Sequence, residues 1–192
     1  MSHPHRTLIA SRRAFLAGTG MTALTALTLA ACGANSRSSS GASASAKAGG
    51  NYAASLLPQI QAEAKGFSQV CFLDTYEGRY LEELGGMNMF VVMADGTVRT
   101  PELSGVILEG GTRSAILRML RDEGVDVREE KIALSQVVDG IRSGAVAEVF
   151  ACGTAAVVTP ITRLGSDDFD VELAVGNKTR EIHRRLTDIQ WG

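Results

Sequence analysis

The stretch that decides the fold covers residues 80–100 and reads YLEELGGMNMFVVMADGTVRT. Its apolar runs are separated by the pair Gly85-Gly86 and by the tetrapeptide ADGT at 94–97. Glycine pairs and Asp-Gly steps between short apolar runs are typical of hairpin turns. The strands predicted in this way are residues 80–84, 88–93 and 98–100. Together they form a β-meander.

Helical and strand patterns extend on both sides of this meander. Apolar residues recur at helical spacing from Ala53 to Ala64 before a stop at Gly66, and from Ile116 to Leu120 before Gly124. The predicted helices are 50–65, 112–123, 135–142 and 178–189, and the further strands are 70–73, 125–132, 146–150 and 155–161. The sum is a mixed α/β (α+β) domain over residues 47–192, which is large enough to hold a hydrophobic core.

The N-terminal residues differ in charge from the rest of the chain. Residues 1–46 contain four arginines and no acidic residue, whereas residues 47–192 contain 15 basic and 21 acidic residues. An acidic folded part repels a phosphate backbone, and no basic stripe is interleaved with aromatic residues. We therefore expect no nucleic-acid partner.

Residues 1–32 have the layout of an export signal. Arg12-Arg13 precede an uncharged stretch that ends in Leu29-Ala30-Ala31 before Cys32. This order is typical of a bacterial leader with paired arginines, and its last residues resemble a lipobox in which Cys32 is lipidated and anchors the protein to a membrane. An uncleaved membrane helix is the alternative, although the apolar part is shorter than the roughly 20 residues that a spanning helix needs. The segment 33–46, rich in serine, alanine and glycine, is expected to be a disordered linker.

The cysteines and histidines do not form a metal or disulfide pattern. Cys71 and Cys152 lie in apolar runs, where reduced cysteine commonly serves as a small buried hydrophobe. None of the three histidines has a carboxylate or thiol partner at ligand spacing. The sequence therefore predicts no metal site.

Four segments in a fixed order carry a family resemblance. They are AKAGGNYAASLLP at 46–58, YLEELGGMNMF at 80–90, GVILEGGTR at 105–113 and EVFACGTAAVVTP at 148–160. With these segments, the chain from Lys47 onward resembles the cofactor-binding half of the branched-chain amino acid aminotransferases, which are class IV, fold-type IV enzymes that use pyridoxal 5'-phosphate. The resemblance implies the large-domain part of that fold, with the family's N-terminal small domain missing and an export leader and tether in its place.

The resemblance assigns the reacting end of the site to three residues. It makes Lys47 the lysine that forms a Schiff base with the cofactor and moves the proton during transamination. Tyr52 would donate a hydrogen bond to the phenolic oxygen of the cofactor. Glu83 would pair with the protonated pyridine nitrogen, which makes the ring an electron sink. Strand alternation places Glu82 and Glu83 on opposite faces, so only one of them can point inward.

The resemblance assigns the phosphate end of the site to two glycine-containing turns. Leu108 would pack on the cofactor ring, and Gly111 and Thr112 would bind the phosphate where a helix begins, because free amides at a helix N-terminus suit a dianion. Gly153 and Thr154 would add a second phosphate contact. The amides of Thr154 and Ala155 would receive the substrate carboxylate.

The loop at 108–113 departs from the family pattern. Glu109 stands where the family usually has proline, and Gly111 stands where it has isoleucine or valine. Glycine keeps the backbone donor but loosens the loop, and Glu109 could bring a negative charge near the phosphate. We expect weaker cofactor binding as a result.

The resemblance implies transamination of leucine, isoleucine and valine with 2-oxoglutarate, with amino acids and 2-oxo acids as substrates. The face left by the missing small domain is expected to be apolar, which predicts a homodimer or aggregation. The segment GGMN at 85–88 favours branched-chain enzymes over the D-amino acid aminotransferases and aminodeoxychorismate lyases that share the fold. The alternative is a non-catalytic, truncated aminotransferase remnant carried as an exported lipoprotein. Location stays open, because the leader argues for export whereas the family works in the cytoplasm.

Overall fold

Nine strands and four helices are formed by the residues that the computed structural model describes, namely 5–11, 56–155 and 157–191. The strands are β1 His5–Ser11, β2 Gln69–Leu73, β3 Leu81–Leu84, β4 Asn88–Met93, β5 Val98–Pro101, β6 Val127–Glu130, β7 Val146–Gly153, β8 Val157–Gly165 and β9 Asp170–Glu172. The helices are α1 Leu56–Ala64, α2 Gly111–Asp122, α3 Leu134–Ser143 and α4 Asn177–Trp191. The prediction of a mixed α/β domain is confirmed.

All nine strands belong to one sheet, in the order β3-β2-β1-β8-β7-β4-β5-β6, with β9 paired to β8. β1 runs parallel to β2 and to β8, and β5 runs parallel to β6. The other pairs are antiparallel. The predicted meander is confirmed for β4 and β5, which pair with each other. Strand β3 instead pairs with β2. A hairpin with one bridge, between Leu84 and Met87, joins β3 to β4.

Helices cover both faces of the central strands β4 and β7. Successive residues of a strand point to opposite faces, and the two cores follow this period. Phe90 and Phe150 stack with their ring centroids 5.0 Å apart, on the face that packs against α2 and α4. Met89 and Ala151 lie on the other face, in the core that includes α3. Strands buried on both faces explain why this part of the sequence is almost continuously apolar.

The structure differs from the sequence predictions mainly at the ends of elements. The predicted strand 125–132 is shortened to β6, which is the last strand of the sheet order and pairs on one side with β5. The strand predicted at 155–161 is instead β8, which begins later and continues to Gly165, where β9 pairs with it. Both predicted buried cysteines, Cys71 and Cys152, are buried and free, so that interpretation is confirmed.

A strand not predicted from the sequence lies within residues 1–32. The backbone of β1 pairs with β2 from Thr7↔Gln69 to Ser11↔Leu73, and with β8 at Thr7↔Leu164. It therefore lies inside the sheet, where its backbone groups bond to a neighbour on each side. This pairing is not expected of a leader that is removed from the mature protein, because its removal would separate β2 from β8.

Several predicted residues fall outside the described part of the chain. These are Cys32, the linker 33–46, Lys47 and Tyr52. Among the described residues, no helix combines the length and the apolar character needed to cross a membrane.

Candidate functional site

The hairpin between β3 and β4 positions the two adjacent glutamates. Gly85 and Gly86 have φ values of +53° and +93°, a backbone region that glycine adopts without steric cost. Glu82 is buried and lines a cleft of about 390 Å³ together with Ile107, whereas Glu83 is half-buried. The more enclosed carboxylate is therefore that of Glu82, and Glu83 lies in the same strand five residues before Asn88.

The negative charges of both glutamates affect the pKa of the Cys71 thiol. Burial, and then the negative charges of Glu82 and Glu83, raise the pKa of Cys71 to about 12. Burial likewise raises the pKa of Cys152 to about 12, against the opposing charge of Arg113. Both thiols therefore stay protonated near neutral pH, and neither serves as a thiolate nucleophile.

The side chain of Asn88 joins the β3–β4 hairpin to the loop at 108–112. Its Nδ2 donates a hydrogen bond to the carbonyl oxygen of Leu108 at 2.8 Å. A Cβ atom added to Gly110 would lie 2.2 Å from Asn88 Oδ1, so the amide fills the space that a side chain at position 110 would need. Sequence analysis missed this role of Asn88 and Gly110. The pair Gly110-Gly111 before the predicted helix 112–123 was the one available signal.

The N-terminus of α2 is open to solvent. Gly110 is the N-cap residue, and its carbonyl oxygen accepts the amide of Ser114 at 3.0 Å. The first amides of a helix have no partner within the helix, and a glycine N-cap has no side chain to cover them. Gly111 is exposed, with no atom within 4 Å of a Cβ built on it, and Thr112 is half-buried. The predicted phosphate-binding residues thus lie at a helix end with room for an anion.

Arg113 anchors the first turn of α2. Its guanidinium is buried, and Nη2 donates to the carbonyl oxygen of Pro101 at 3.1 Å and to Glu129 Oε2 at 2.8 Å. These contacts fix the helix end against β5 and β6. Glu109, by contrast, is exposed and lines a surface groove with Arg118. Its carboxylate is therefore accessible to water, which screens its charge.

The second predicted turn follows β7. Asn88 pairs with Cys152 across β4 and β7, and Gly153 is the next residue along β7. A Cβ on Gly153 would lie 3.2 Å from Cγ of Met87, the residue before Asn88. The hairpin, the loop at 108–112 and the end of β7 therefore meet around Asn88.

Backbone strain marks the return of this turn into β8. Thr154 and Ala155 are exposed, and Val157 has φ of +51°, a region that a β-branched residue rarely adopts. Strained backbone is retained where the surrounding structure holds it, often at binding sites. Of the predicted site residues, the structure brings the loop residues and Gly153 to one region through Asn88. Lys47 and Tyr52 are outside the described residues.

Metal chemistry has no ligand set in the described part of the chain. Among residues 5–11, 56–155 and 157–191, no group of three or more His, Cys, Asp or Glu side chains could hold a metal ion. The arrangement around Asn88 instead offers backbone amides to an anion. Strand β3, which carries Glu82 and Glu83, lies beside these amides.

Comparison with known proteins places this arrangement in a family. The family model described as Amino-transferase class IV matches residues 3–164. A branched-chain-amino-acid aminotransferase of Mycolicibacterium smegmatis is 45% identical over 162 residues, which cover 81% of this chain and 44% of the relative. The chain thus spans less than half the length of this curated relative.

Solved structures give the same result. The branched-chain aminotransferase from Thermoproteus uzoniensis with norvaline aligns with a TM-score of 0.69 and 26% identity, covering 97% of this chain and 51% of that chain. The T.th. branched-chain amino acid aminotransferase complexed with N-(5'-phosphopyridoxyl)-L-glutamate aligns with a TM-score of 0.68 and 27% identity, covering 96% and 51%. These likenesses confirm the predicted fold.

The family match includes β1 and the segment up to residue 46, as well as the strands and helices that surround Asn88. It extends over most of the chain and contains strands β1 to β7 and the helix that begins at Gly111. The chain belongs to the class IV aminotransferase family.

Proposed function

We propose that this chain is a pyridoxal 5'-phosphate-dependent domain that transaminates leucine, isoleucine and valine with 2-oxoglutarate. The observation that carries the proposal is the meeting of three segments at Asn88: the hairpin after Glu83, the loop at 108–112 and the end of β7. Each of these segments contains residues that the family resemblance assigns to the cofactor. The names of the relatives support the reaction and its substrates.

The described residues fit the phosphate of the cofactor. The open space at Gly111 and the uncovered amides of α2 suit a dianion at a helix N-terminus. In this proposal Gly111 and Thr112 bind the phosphate from one side, and Gly153 and Thr154 bind it from the other. Leu108 packs on the ring, and the amides of Thr154 and Ala155 receive the substrate carboxylate.

Pyridoxal phosphate, when bound, supplies an electron-withdrawing ring that stabilises the negative charge formed at the substrate α-carbon. The chain's own part in the proposal is to hold groups and move one proton. Lys47 Nζ would hold the cofactor and would carry the proton to or from the substrate α-carbon. Tyr52 donates a hydrogen bond to the phenolic oxygen, and the carboxylate of Glu83 keeps the ring nitrogen protonated.

The second substrate is proposed from one relative. The T.th. enzyme is complexed with an adduct of the phosphopyridoxyl group and glutamate. Glutamate is the amino acid that forms when 2-oxoglutarate accepts an amino group. We therefore propose amino acids and 2-oxo acids as the small-molecule partners of this chain.

A homodimer is part of the proposal. Leu56, Leu57 and Ile60 of α1 are exposed, at 61%, 45% and 60%. Large apolar side chains grouped on one helix favour association. Light scattering that shows a monomer at micromolar concentration would contradict this part of the proposal.

The alternative is a non-catalytic remnant carried as an exported lipoprotein. Arg12-Arg13 and the residues before Cys32 favour it. The pairing of β1 opposes it, because cleavage before Cys32 would remove a strand from inside the sheet. The leader at 1–32, lipidation of Cys32 and membrane anchoring stay predictions, as does the choice between export and the cytoplasm.

Titration of the purified chain with pyridoxal phosphate tests the proposed function. We expect a visible absorption band of lysine-bound cofactor, and borohydride reduction followed by peptide mass spectrometry should locate the label on Lys47. Lys47→Ala should abolish the band. Lys65→Ala is the matched control, since Lys65 is an exposed lysine paired with Asp167, and it should keep the band. A folded chain without the band, or with label spread over surface lysines, would contradict the proposal.

A further inference from the structure

Asn88 is a buried polar residue at the point where three segments of the fold meet. It is 7% exposed and opens β4, directly after the bridge between Leu84 and Met87. Its backbone is paired with Cys152 in β7. The position of Asn88 is therefore fixed by two neighbouring strands before its side chain makes any contact.

Both polar atoms of the Asn88 side chain lie against the loop at 108–112. Nδ2 donates to the carbonyl oxygen of Leu108 at 2.8 Å, and Oδ1 lies against the backbone of Gly110. A Cβ at position 110 would lie 2.2 Å from Oδ1, which is well inside van der Waals contact, whereas position 111 is open. An alanine at position 110 would therefore force the Asn88 amide to move. Position 111 carries no such restriction.

We propose that Asn88 is a positioning residue, which holds the loop at 108–112 and the N-terminus of α2 in register with the hairpin after Glu83 and the turn after Gly153. The inference rests on the proposed function, since it concerns the same anion-binding amides. Without the Asn88 amide, the Leu108 carbonyl loses its side-chain partner and Gly110 loses the surface against which it packs. The first amides of α2 then sample several directions, and a dianion must order them when it binds.

Asn88→Ala tests this role against a matched control. Thr100→Val removes another buried hydrogen bond to the same strand, in which Thr100 Oγ1 donates to the Met89 carbonyl oxygen at 2.8 Å. That bond does not involve the loop at 108–112. We expect both variants to lower Tm by a similar amount. Only Asn88→Ala should weaken pyridoxal phosphate binding, by about tenfold for one lost hydrogen bond with its packing. Asn88→Ser is the second variant if Asn88→Ala does not fold.

Hydrogen exchange gives a readout that needs no cofactor. Peptides covering residues 108–113 should exchange faster in Asn88→Ala, with unchanged exchange in peptides of α3, and Thr100→Val should leave the loop unchanged. Equal loop exchange in the two variants would overturn the proposal. If the wild-type chain gives no cofactor band, the proposed function fails, and the exchange experiment still decides the role of Asn88.

A double-variant cycle with Gly110→Ala tests the steric relation directly. In the wild-type background the added methyl group meets Asn88 Oδ1, so we expect a clear loss in Tm. In the Asn88→Ala background the obstructing atom is absent, and the same change should cost less. An equal Tm loss in both backgrounds would overturn the proposed contact.

Discussion

The carboxylate of Glu148 in β7 caps the N-terminus of α4. It accepts hydrogen bonds from the backbone amides of Lys178 at 3.0 Å and Thr179 at 2.8 Å. Glu148 is buried, and thirty or more residues separate it from the amides it binds. A carboxylate at a helix N-terminus also interacts favourably with the helix dipole. Strand β7 thus holds the C-terminal helix in place through one side chain.

Glu148→Gln should destabilise the chain by about 1–2 kcal/mol, because it removes the charge from two hydrogen bonds at a helix N-terminus. Urea unfolding followed by circular dichroism measures this change. Glu102→Gln is the control, since Glu102 is exposed and should change stability by less than about 0.5 kcal/mol. Equal effects of the two substitutions would argue against the capping role.

Gly176→Ala should destabilise the same junction. A Cβ at position 176 would lie 1.8 Å from Cδ of Glu148, so the capping carboxylate must shift to accept it. Overpacking of this kind costs about 1–3 kcal/mol. Gly111→Ala provides the contrast, because position 111 is open and alanine favours helix over glycine by up to about 1 kcal/mol. Thermal unfolding should show Tm falling in the first variant and not falling in the second.

Asp74 should contribute to acid sensitivity. Partial burial would raise its pKa, but backbone hydrogen bonds from Tyr80, Glu77 and Arg79 outweigh that effect and lower the pKa to about 2. Since the folded-state pKa lies below the unfolded value of about 3.9, the stabilisation is present above about pH 4 and is lost as the pH falls toward 2.

Asp74→Asn should therefore flatten the loss of unfolding free energy between about pH 4 and pH 2. Urea unfolding at several pH values measures it. Asp168→Asn, at an exposed position on another loop, is the control and should leave the acid profile as in the wild type. An unchanged profile in Asp74→Asn would contradict the assigned role of the hydrogen bonds.

Removal of residues 1–32 should prevent cooperative folding. The variant lacks β1, so β2 and β8 lose the strand that bonds to both of them, and their apolar side chains lose a continuous sheet. Circular dichroism and limited proteolysis measure the result.

A paired substitution separates folding from export. Arg12→Lys with Arg13→Lys removes the paired-arginine signal and keeps β1 intact, so we expect it to fold like the wild type. Its cellular location, compared with that of the wild type, reports on the leader. For the truncated variant, which begins at Gly33, unfolding at the wild-type Tm would show that β1 is dispensable.

Local features of this protein followed from neighbouring residues. Gly85-Gly86 and the ADGT turn predicted hairpins that the structure contains, because a tight turn depends on the φ values that its own residues can adopt. The buried face of α2 followed from apolar spacing at Ile116, Leu117 and Leu120. The family segments could be recognised for the same reason, since each is a short continuous run.

Other features depended on residues far apart in the chain. Paired arginines before an apolar run resemble an export signal whatever their neighbours in space, so β1 could not be predicted without β2 and β8 as its partners. In the sequence Asn88 is only the last residue of the GGMN segment, because its hydrogen bond goes to a carbonyl 20 residues away.

The amino-acid sequence by itself determined the turns, the helix faces, the buried cysteines and the family, because these depend on residue type and short-range spacing. The tertiary structure decided that His5–Ser11 lies within the sheet, that Glu148 caps α4 and that Asn88 Oδ1 occupies the space a side chain at position 110 would need. Each of these is a contact between distant segments, and such a contact exists only once the sheet has brought its partners together.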